Sequence, residues 1–494
     1  MKKLLLLLLT LSLLVTSLVA CKNDGTPQDT GETETTYDPA DELAALGLPA
    51  DTNMQGKTFT VYNQPWNGYE PLSIIDIKPE DGEVGNIAES AYERALEVEE
   101  ALDCEIINFV GETYQENGLR KIQTAIASGD CPYDILMIRT KQYLALVTSG
   151  YLTDISDIPY LNLTKEWWDT DSRDALALGK KAYAICSDMT INDDLHIANI
   201  YFNKQMVEDY SATMESPYAL VDSDRWTFEA MYDMAKQVAS HPDDVIGVPG
   251  NTAQDIYGFG YVQDAAGAFL NAFGVNVCTM EESGTPVYSL GGDLAITKMQ
   301  KLMSILLDTN TSINFHARLG YSAATTAETE TFLSGRELFC IGGLYYASNM
   351  RRSETEFGII PFPKYNTDQT DYITPVYSAS LSVCAVPVTN GDMDNTGIFM
   401  EYFAYKGNQY MRPALYDELL EGYLPRDEES LEMLDIIFET VRYDCGMIFN
   451  FGGVVDNIFN QYNGLNESTV KSNATIWGIS LGNEIKNIMA TLNR

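Results

Sequence analysis

The chain has 494 residues, with 31 Lys and Arg against 71 Asp and Glu, for a formal net charge of −40. A surface of that sign repels phosphate, which excludes nucleic acid as a partner and removes any attraction to anionic lipid headgroups. With 45% hydrophobic and 11% aromatic residues there is ample material for packed cores, and the length suits two or three domains of about 150 residues.

Lys2 and Lys3 precede the apolar run Leu4–Leu14, and Leu18-Val19-Ala20-Cys21 follows. The run is too short for a membrane span of about 20 apolar residues. Residues 1–20 therefore read as a secretory signal whose small residues before Cys21 match the lipobox of bacterial lipoproteins. The expectation is an extracytoplasmic chain anchored to the cell membrane by lipidated Cys21. Residues 21–51 mix Asp, Glu, Thr, Gly and Pro with little apolar periodicity, which predicts an acidic, solvated tether.

Order begins at Lys57–Tyr62, where Phe59 and Val61 alternate with polar residues as in a strand. Ile87, Ala91, Ala95, Val98 and Leu102 recur at helical spacing. A strand over Glu105–Val110, a helix over Gly118–Ser128 and a continuously apolar strand over Asp134–Ile138 follow. The order β-α-β-α-β predicts an open parallel sheet, whose ligands sit beyond the carboxyl ends of the strands. That rule points to Asn63–Tyr69 and Arg139–Lys141. Further elements are a strand at Ile200–Asn203, a helix capped by Thr227, a helix over Leu294–Leu307 and a strand over Glu337–Ile341. The last hundred residues read as mostly helical, Leu431, Leu434, Phe438 and Val441 forming one apolar face.

Seven cysteines follow Cys21, with no C-x-x-C and no histidine at ligand spacing, so neither a zinc site nor a redox motif is expected. They read as small core hydrophobes. Asp169-Thr-Asp-Ser-Arg-Asp174 begins like a calcium loop, but Asp174 stands where the turn needs glycine. No H-E-x-x-H or P-loop pattern occurs. The expectation is no cofactor, no metal and no catalytic residue.

Several segments in order resemble the bacterial extracellular solute-binding proteins of family 1, the maltose-binding-like group that serves ATP-binding-cassette importers. They are Ser128–Ile135, Gly150-Tyr-Leu-Thr-Asp-Ile155, Tyr201-Phe-Asn-Lys204, Trp226-Thr-Phe-Glu229, Phe332-Leu-Ser-Gly-Arg336, Phe357–Tyr365 with Gln369 and Tyr372, and Arg426–Ser430 with Met433-Leu-Asp435. The resemblance implies an α/β, two-lobed, periplasmic-binding-protein-like fold (type II), each lobe an open sheet flanked by helices, with a hinged cleft between. It places 52–186 and 342–388 in lobe 1 and 187–341 and 389–494 in lobe 2. It implies capture of a small polar ligand, with an oligosaccharide expected, delivery to importer membrane subunits, and a monomer. An extracellular carbohydrate-active enzyme, which would need two carboxylates about 5–9.5 Å apart, and a surface sensor of the same fold are the alternatives.

For the ligand, Asn63, Trp66 and Tyr69 supply the amide and aromatic faces that suit a sugar, the alternative for Trp66 being a cover on a lobe edge. Arg139 offers a guanidinium to a hydroxyl or carboxylate, or a structural ion pair. The resemblance places an acidic contact near Asp188, with Asp193 and Asp194 competing for the role. Gly342-Gly343 leaves room for close backbone approach, with Tyr345 and Tyr346 where maltose-binding proteins carry tryptophan. Tyr377 and Asn450 complete the expected set. Trp226 is read as structural, and Trp167 and Trp168 as a cleft wall or a packed edge.

Overall fold

The computed structural model describes residues 38–65, 75–80, 82–83, 85–112, 115–241, 255–262, 264–350, 354–378, 381–420, 428–460 and 467–492. Cys21, Trp66 and Tyr69 lie outside them. Ala40–Arg494 is one compact unit.

The first sheet follows the expected alternation. Strands β1 (Lys57–Asn63), β2 (Cys104–Val110) and β3 (Ile135–Arg139) run parallel, with β1 in the middle. All five residues of β3 are buried, as a strand covered on both faces requires. The helix Asn86–Leu102 buries Ile87, Ala91, Ala95, Val98 and Leu102, and it ends where Asp103 turns left-handed at φ 50° and its N–H donates to Glu99 O. That is the usual way to satisfy a final carbonyl.

The second sheet has the order β6-β5-β7-β4-β8, from β4 (Ala198–Asn203), β5 (Tyr257–Tyr261), β6 (Ser312–Asn314), β7 (Glu337–Gly343) and β8 (Phe357–Ile360). β5, β6 and β7 are parallel, while β4 runs antiparallel to both β7 and β8. β9 (Ser382–Ala385) returns to the first sheet, antiparallel to β3. Hence β8, inside the 342–388 range expected in lobe 1, belongs to the second sheet, and the chain recrosses between Ile360 and Ser382. Likewise the helix Met393–Leu420, expected in lobe 2, stacks Phe399 on Phe59 of β1 at 4.4 Å.

The tether expected over 21–51 also ends early. Leu43 and Leu48 are buried in the core around the first sheet, and Glu42 takes the Lys406 ammonium at 2.8 Å with hydrogen bonds from Tyr402 and Tyr405. Two apolar anchors and a paired carboxylate outweigh the polar composition around them. Among the described residues no helix is long and apolar enough to cross a membrane, and the cysteines after Cys21 form no disulfide.

Candidate functional site

The carboxyl ends of β3 and β7 and the crossing segments meet in one region. Arg139 is the last residue of β3, two beyond Met137, which pairs with Asn63. Opposite Arg139 lies Ser382 of β9. Thr140 N–H donates to Leu381 O at 3.0 Å and its hydroxyl to Ser378 O. The return crossing is thereby fixed to the end of β3. Its Tyr377 N–H donates to His196 O at 2.9 Å, and Ser382 N–H to Asn192 Oδ1 at 2.6 Å, tying the two crossings together. His196 lies 5.7 Å, ring to ring, from Tyr345, the residue that follows β7 and Leu344.

Arg139, Tyr345 and Tyr377 are thus brought to one place, with His196 as the residue that sequence reasoning missed. Burial, reinforced by Arg139, pushes the His196 imidazole down to about 3, so it is neutral. Its Nδ1 lies 2.6 Å from Asn192 O, and since a carbonyl only accepts, Nδ1 carries the proton. Burial pushes the Tyr377 phenol well up, keeping it a neutral hydroxyl. Tyr377 Oη, and both amide atoms of fully buried Asn199 at the start of β4, find no hydrogen-bond partner among the described residues. Such groups favour a hydroxyl-bearing ligand or water over apolar contact.

The other candidates are held elsewhere. Asn63 is 4% exposed and its Nδ2 faces Asp76 Oδ1 at 3.5 Å. Asp76 in turn lies beside buried Arg94, whose guanidinium donates to the carbonyls of Asp76, Ile77 and Met189. Desolvation, opposed by Arg94, lifts Asp76 to about 7. Tyr346 turns into the second lobe and donates to Glu328 Oε2 at 2.8 Å. Gly342 and Gly343 make room for these rings, since a Cβ on either would collide with Tyr346 and Tyr345 respectively. Asp188 accepts from Asn408 Nδ2 at 2.7 Å on the helix Met393–Leu420. Asn450, left-handed at φ 47°, accepts from Val455 N–H and donates to Asp456, which makes it a cap for the helix Val454–Asn460. Trp168 donates to Glu401 at 2.8 Å and Trp167 packs edge-on against Tyr405, so both form a packed edge. Trp226 is fully buried, its Nε1 donating to Pro361 O.

A cavity of about 440 Å³ is bounded by Asp171 and Asp174 on one side and by Asn276, Thr279, Arg442 and Tyr443 on the other. Its charged groups already serve one another, Arg442 pairing with Asp171 at 3.2 Å, and Tyr443 donates to Asp169. Topology rather than volume therefore selects the strand-end region.

Residues 107–382 match the family described as bacterial extracellular solute-binding protein. No curated protein matches the chain in sequence. Among solved structures, the galacto-N-biose-/lacto-N-biose I-binding protein of the ABC transporter from Bifidobacterium longum, in complex with lacto-N-biose, is similar at 11% identity and TM-score 0.56, covering 88% of this chain and 98% of that one. M. tuberculosis UspC is similar at 12% and 0.55, covering 86% and 100%. The GacH receptor of Streptomyces glaucescens, solved unliganded and in complex with acarbose, is similar at 13% and 0.53, covering 89% and 99%. At these identities the likeness is one of fold, and it is a likeness to two-lobed binding proteins along almost their whole length. The family match spans more than half of the chain and includes β3, the whole second sheet and the return crossing: the chain belongs to the bacterial extracellular solute-binding proteins.

Proposed function

We propose that the protein is anchored by lipidated Cys21, captures an oligosaccharide between its lobes by hinge closure, and delivers it to the membrane subunits of an ATP-binding-cassette importer. It acts as a monomer and carries out no chemistry on its ligand. The observation that supports this best is the convergence of Arg139 and Tyr345 on His196 at the strand ends, with the Tyr377 backbone bonded to the same residue. Sugars are recognised by that mixture of aromatic faces and amide, hydroxyl and guanidinium groups. Two of the similar structures are complexes with saccharide-type ligands. Trp66 and Tyr69, which follow β1 in sequence, are proposed as further contacts. Contacts made from both lobes exist only when the clamp is shut, so binding energy shifts the population toward the closed form.

The test is a thermal-shift screen of residues 22–494, unfolded and refolded to strip carried-over ligand, against mono- and oligosaccharides and other polar solutes. A ligand at about 100 times its Kd stabilises by about 2.7 kcal/mol, which for a chain of this size is about 3 °C. A saccharide-specific shift with intact ligand recovered is the expected result. Turnover of the ligand would replace this reading with the enzyme, and no shift across the panel would remove the carbohydrate.

A further inference from the structure

Two of the thiols stand apart from the rest. Cys278 opens the strand Cys278–Met280, which pairs with Pro286–Tyr288 in a hairpin, and Cys445 is the first residue of the short helix Cys445–Phe449. Although 167 positions separate them in the chain, Cys445 Sγ lies 3.9 Å from Cys278 O, and the two free thiols are hydrogen-bonded to each other. Other thiols direct their hydrogen bonds elsewhere, Cys104 to Val98 O, Cys131 to Tyr133 O, Cys186 to Ser382 O and Cys384 to Met189 Sδ.

The backbone holds this pairing from both sides. Asp444, just before Cys445, accepts from Val277 N–H at 2.6 Å, from Cys278 N–H at 3.4 Å and from Gly446 N–H at 2.8 Å. One carboxylate thereby clamps the start of the helix to the start of the strand. Just after Cys445, a Cβ on Gly446 would come within 2.7 Å of Cys278 N and strike the Val277 side chain, so glycine is what lets the two segments approach. Bridging two cysteines requires neighbouring backbones and side chains that converge. The clamp supplies the first condition and the shared hydrogen bond the second. The family is extracellular, and disulfides persist outside the cytoplasm, where the intracellular reductants do not act.

We propose that Cys278 and Cys445 form a disulfide bond as the chain folds outside the cytoplasm, with a small-molecule or protein disulfide as the oxidant. One cysteine thiolate attacks a sulfur of the oxidant R–S–S–R, forming a mixed disulfide and releasing R–S⁻. The second thiolate attacks the cysteine sulfur of that mixed disulfide, forming the Cys278–Cys445 S–S bond and releasing the second R–S⁻. The two R–S⁻ groups take up the two protons that the cysteines lose, so two cysteine thiols are oxidised and one disulfide is reduced to two thiols. In the folded chain the hydrogen bond with Cys445, together with burial, holds the Cys278 thiol well above its ordinary range. A thiol so held is a poor nucleophile, which places the exchange before the hairpin and the helix close around the pair. Phe449, at the far end of the same short helix, stacks on Tyr143 at 5.7 Å, and Tyr143 belongs to the helix Thr140–Thr148 that follows Arg139. Tying Cys445 to the hairpin therefore steadies the element against which that helix rests, whatever ligand the protein takes.

Residues 22–494, which leave out the Cys21 thiol, are unfolded in reductant and refolded either with a mixture of oxidised and reduced glutathione or with reductant alone. Each product is denatured, alkylated with iodoacetamide and digested without reduction for mass spectrometry. The expected result is a cross-linked peptide pair carrying Cys278 and Cys445 in the oxidised product alone, with Cys104, Cys131, Cys186, Cys340 and Cys384 alkylated in both. The oxidised product is expected to melt about 3 °C above the reduced one, because the bond closes a long loop in the unfolded chain. Cys278→Ser and Cys445→Ser should each abolish that difference, and the two wild-type products can be compared even where a variant fails to fold. Alkylation of both cysteines in the oxidised product, or a cross-link from either to a different cysteine, would overturn the bond. Equal melting of the two wild-type products would overturn its hold on the helix.

Discussion

Asp188 lies on the crossing between the sheets, and its carboxyl faces groups from every element around it. Asn408 Nδ2 donates to it at 2.7 Å and Arg412 lies on the same helix. Asp169 and Glu166 add negative charge from the Trp167–Trp168 side, and Asp193 and Asp194 sit on the short helix Asn192–Leu195. Desolvation is the largest effect and lifts Asp188 from 3.8 to about 6, against the opposing pull of Asn408 and Arg412. At 1.36 kcal/mol per pH unit, that displacement amounts to about 3 kcal/mol. The folded pKa lies above the unfolded one, so the stabilisation is fully present below about pH 4 and is lost as pH rises through about 6. At pH 8 the ionised carboxylate leaves the fold less stable by up to that amount.

Asp188→Asn keeps the shape and removes the ionisation, and the Asn408 amide can turn to accept where it now donates. The expected outcome is a Tm about 2–3 °C above wild type at pH 8 and equal within about 1 °C at pH 4.5, at about 1 °C per kcal/mol for this size. Calorimetry at matched ionic strength and scan rate reads it. Acidification relieves the repulsion of a chain with net charge −40 in both proteins alike, so only their difference reports on Asp188. A variant no more stable than wild type at pH 8 would refute the reasoning and mean that Arg412 and Asn408 fully compensate the buried charge.

Tyr346→Ala removes a fully buried ring and the phenol that serves Glu328, and is expected to cost about 3–5 kcal/mol, read as a lower urea midpoint. Tyr345→Ala, at the strand-end region beside His196, is expected to weaken ligand binding more than tenfold by calorimetry with a smaller stability loss than Tyr346→Ala. Trp66→Ala is expected to weaken binding more than tenfold without changing Tm, and unchanged affinity would take Trp66 out of the site. Asp444→Ala strips four donors of their acceptor, the N–H groups of Val277, Cys278 and Gly446 and the Asn271 amide. The loss is expected to reach about 3 kcal/mol or more, and an unchanged denaturation midpoint would show that water replaces the carboxylate.

The first sheet could be read from the sequence because each of its elements carries its own periodicity. β1, β3 and the helix Asn86–Leu102 bury the residues their spacing selects, and Thr227 caps its helix through Ala230 N–H at 3.2 Å. Position at a strand end was legible for the same reason, and Arg139 is indeed the last residue of β3. What a side chain does after the strand ends was not, because the deciding partner comes from distant sequence. Asn63 is claimed by Asp76, Tyr346 by Glu328, Asp188 by Asn408 and Asn450 by Val455. His196 carried no local signal, since its surroundings are assembled from β3, the Asn192–Leu195 helix and the return crossing.

The hinge shows the same limit most clearly. Gly407 lies inside the 28-residue helix Met393–Leu420, where composition alone marks it as a weak point worth about 1 kcal/mol against alanine. In the fold it is the point where that helix presses on the first crossing, and any Cβ there would collide with Asp188 O. The helix stacks on β1 through Phe399, and Tyr416 near its far end stacks on Phe438 of the helix Glu428–Glu439, which packs against β8 of the second sheet. It is therefore a third connection between the lobes, beside the crossings at 188–197 and 361–381. The Gly407–Asp188 contact lies on two of these three connections. The glycine that costs helix propensity is what lets the long helix close on the first crossing, and local propensity has no means of registering that gain.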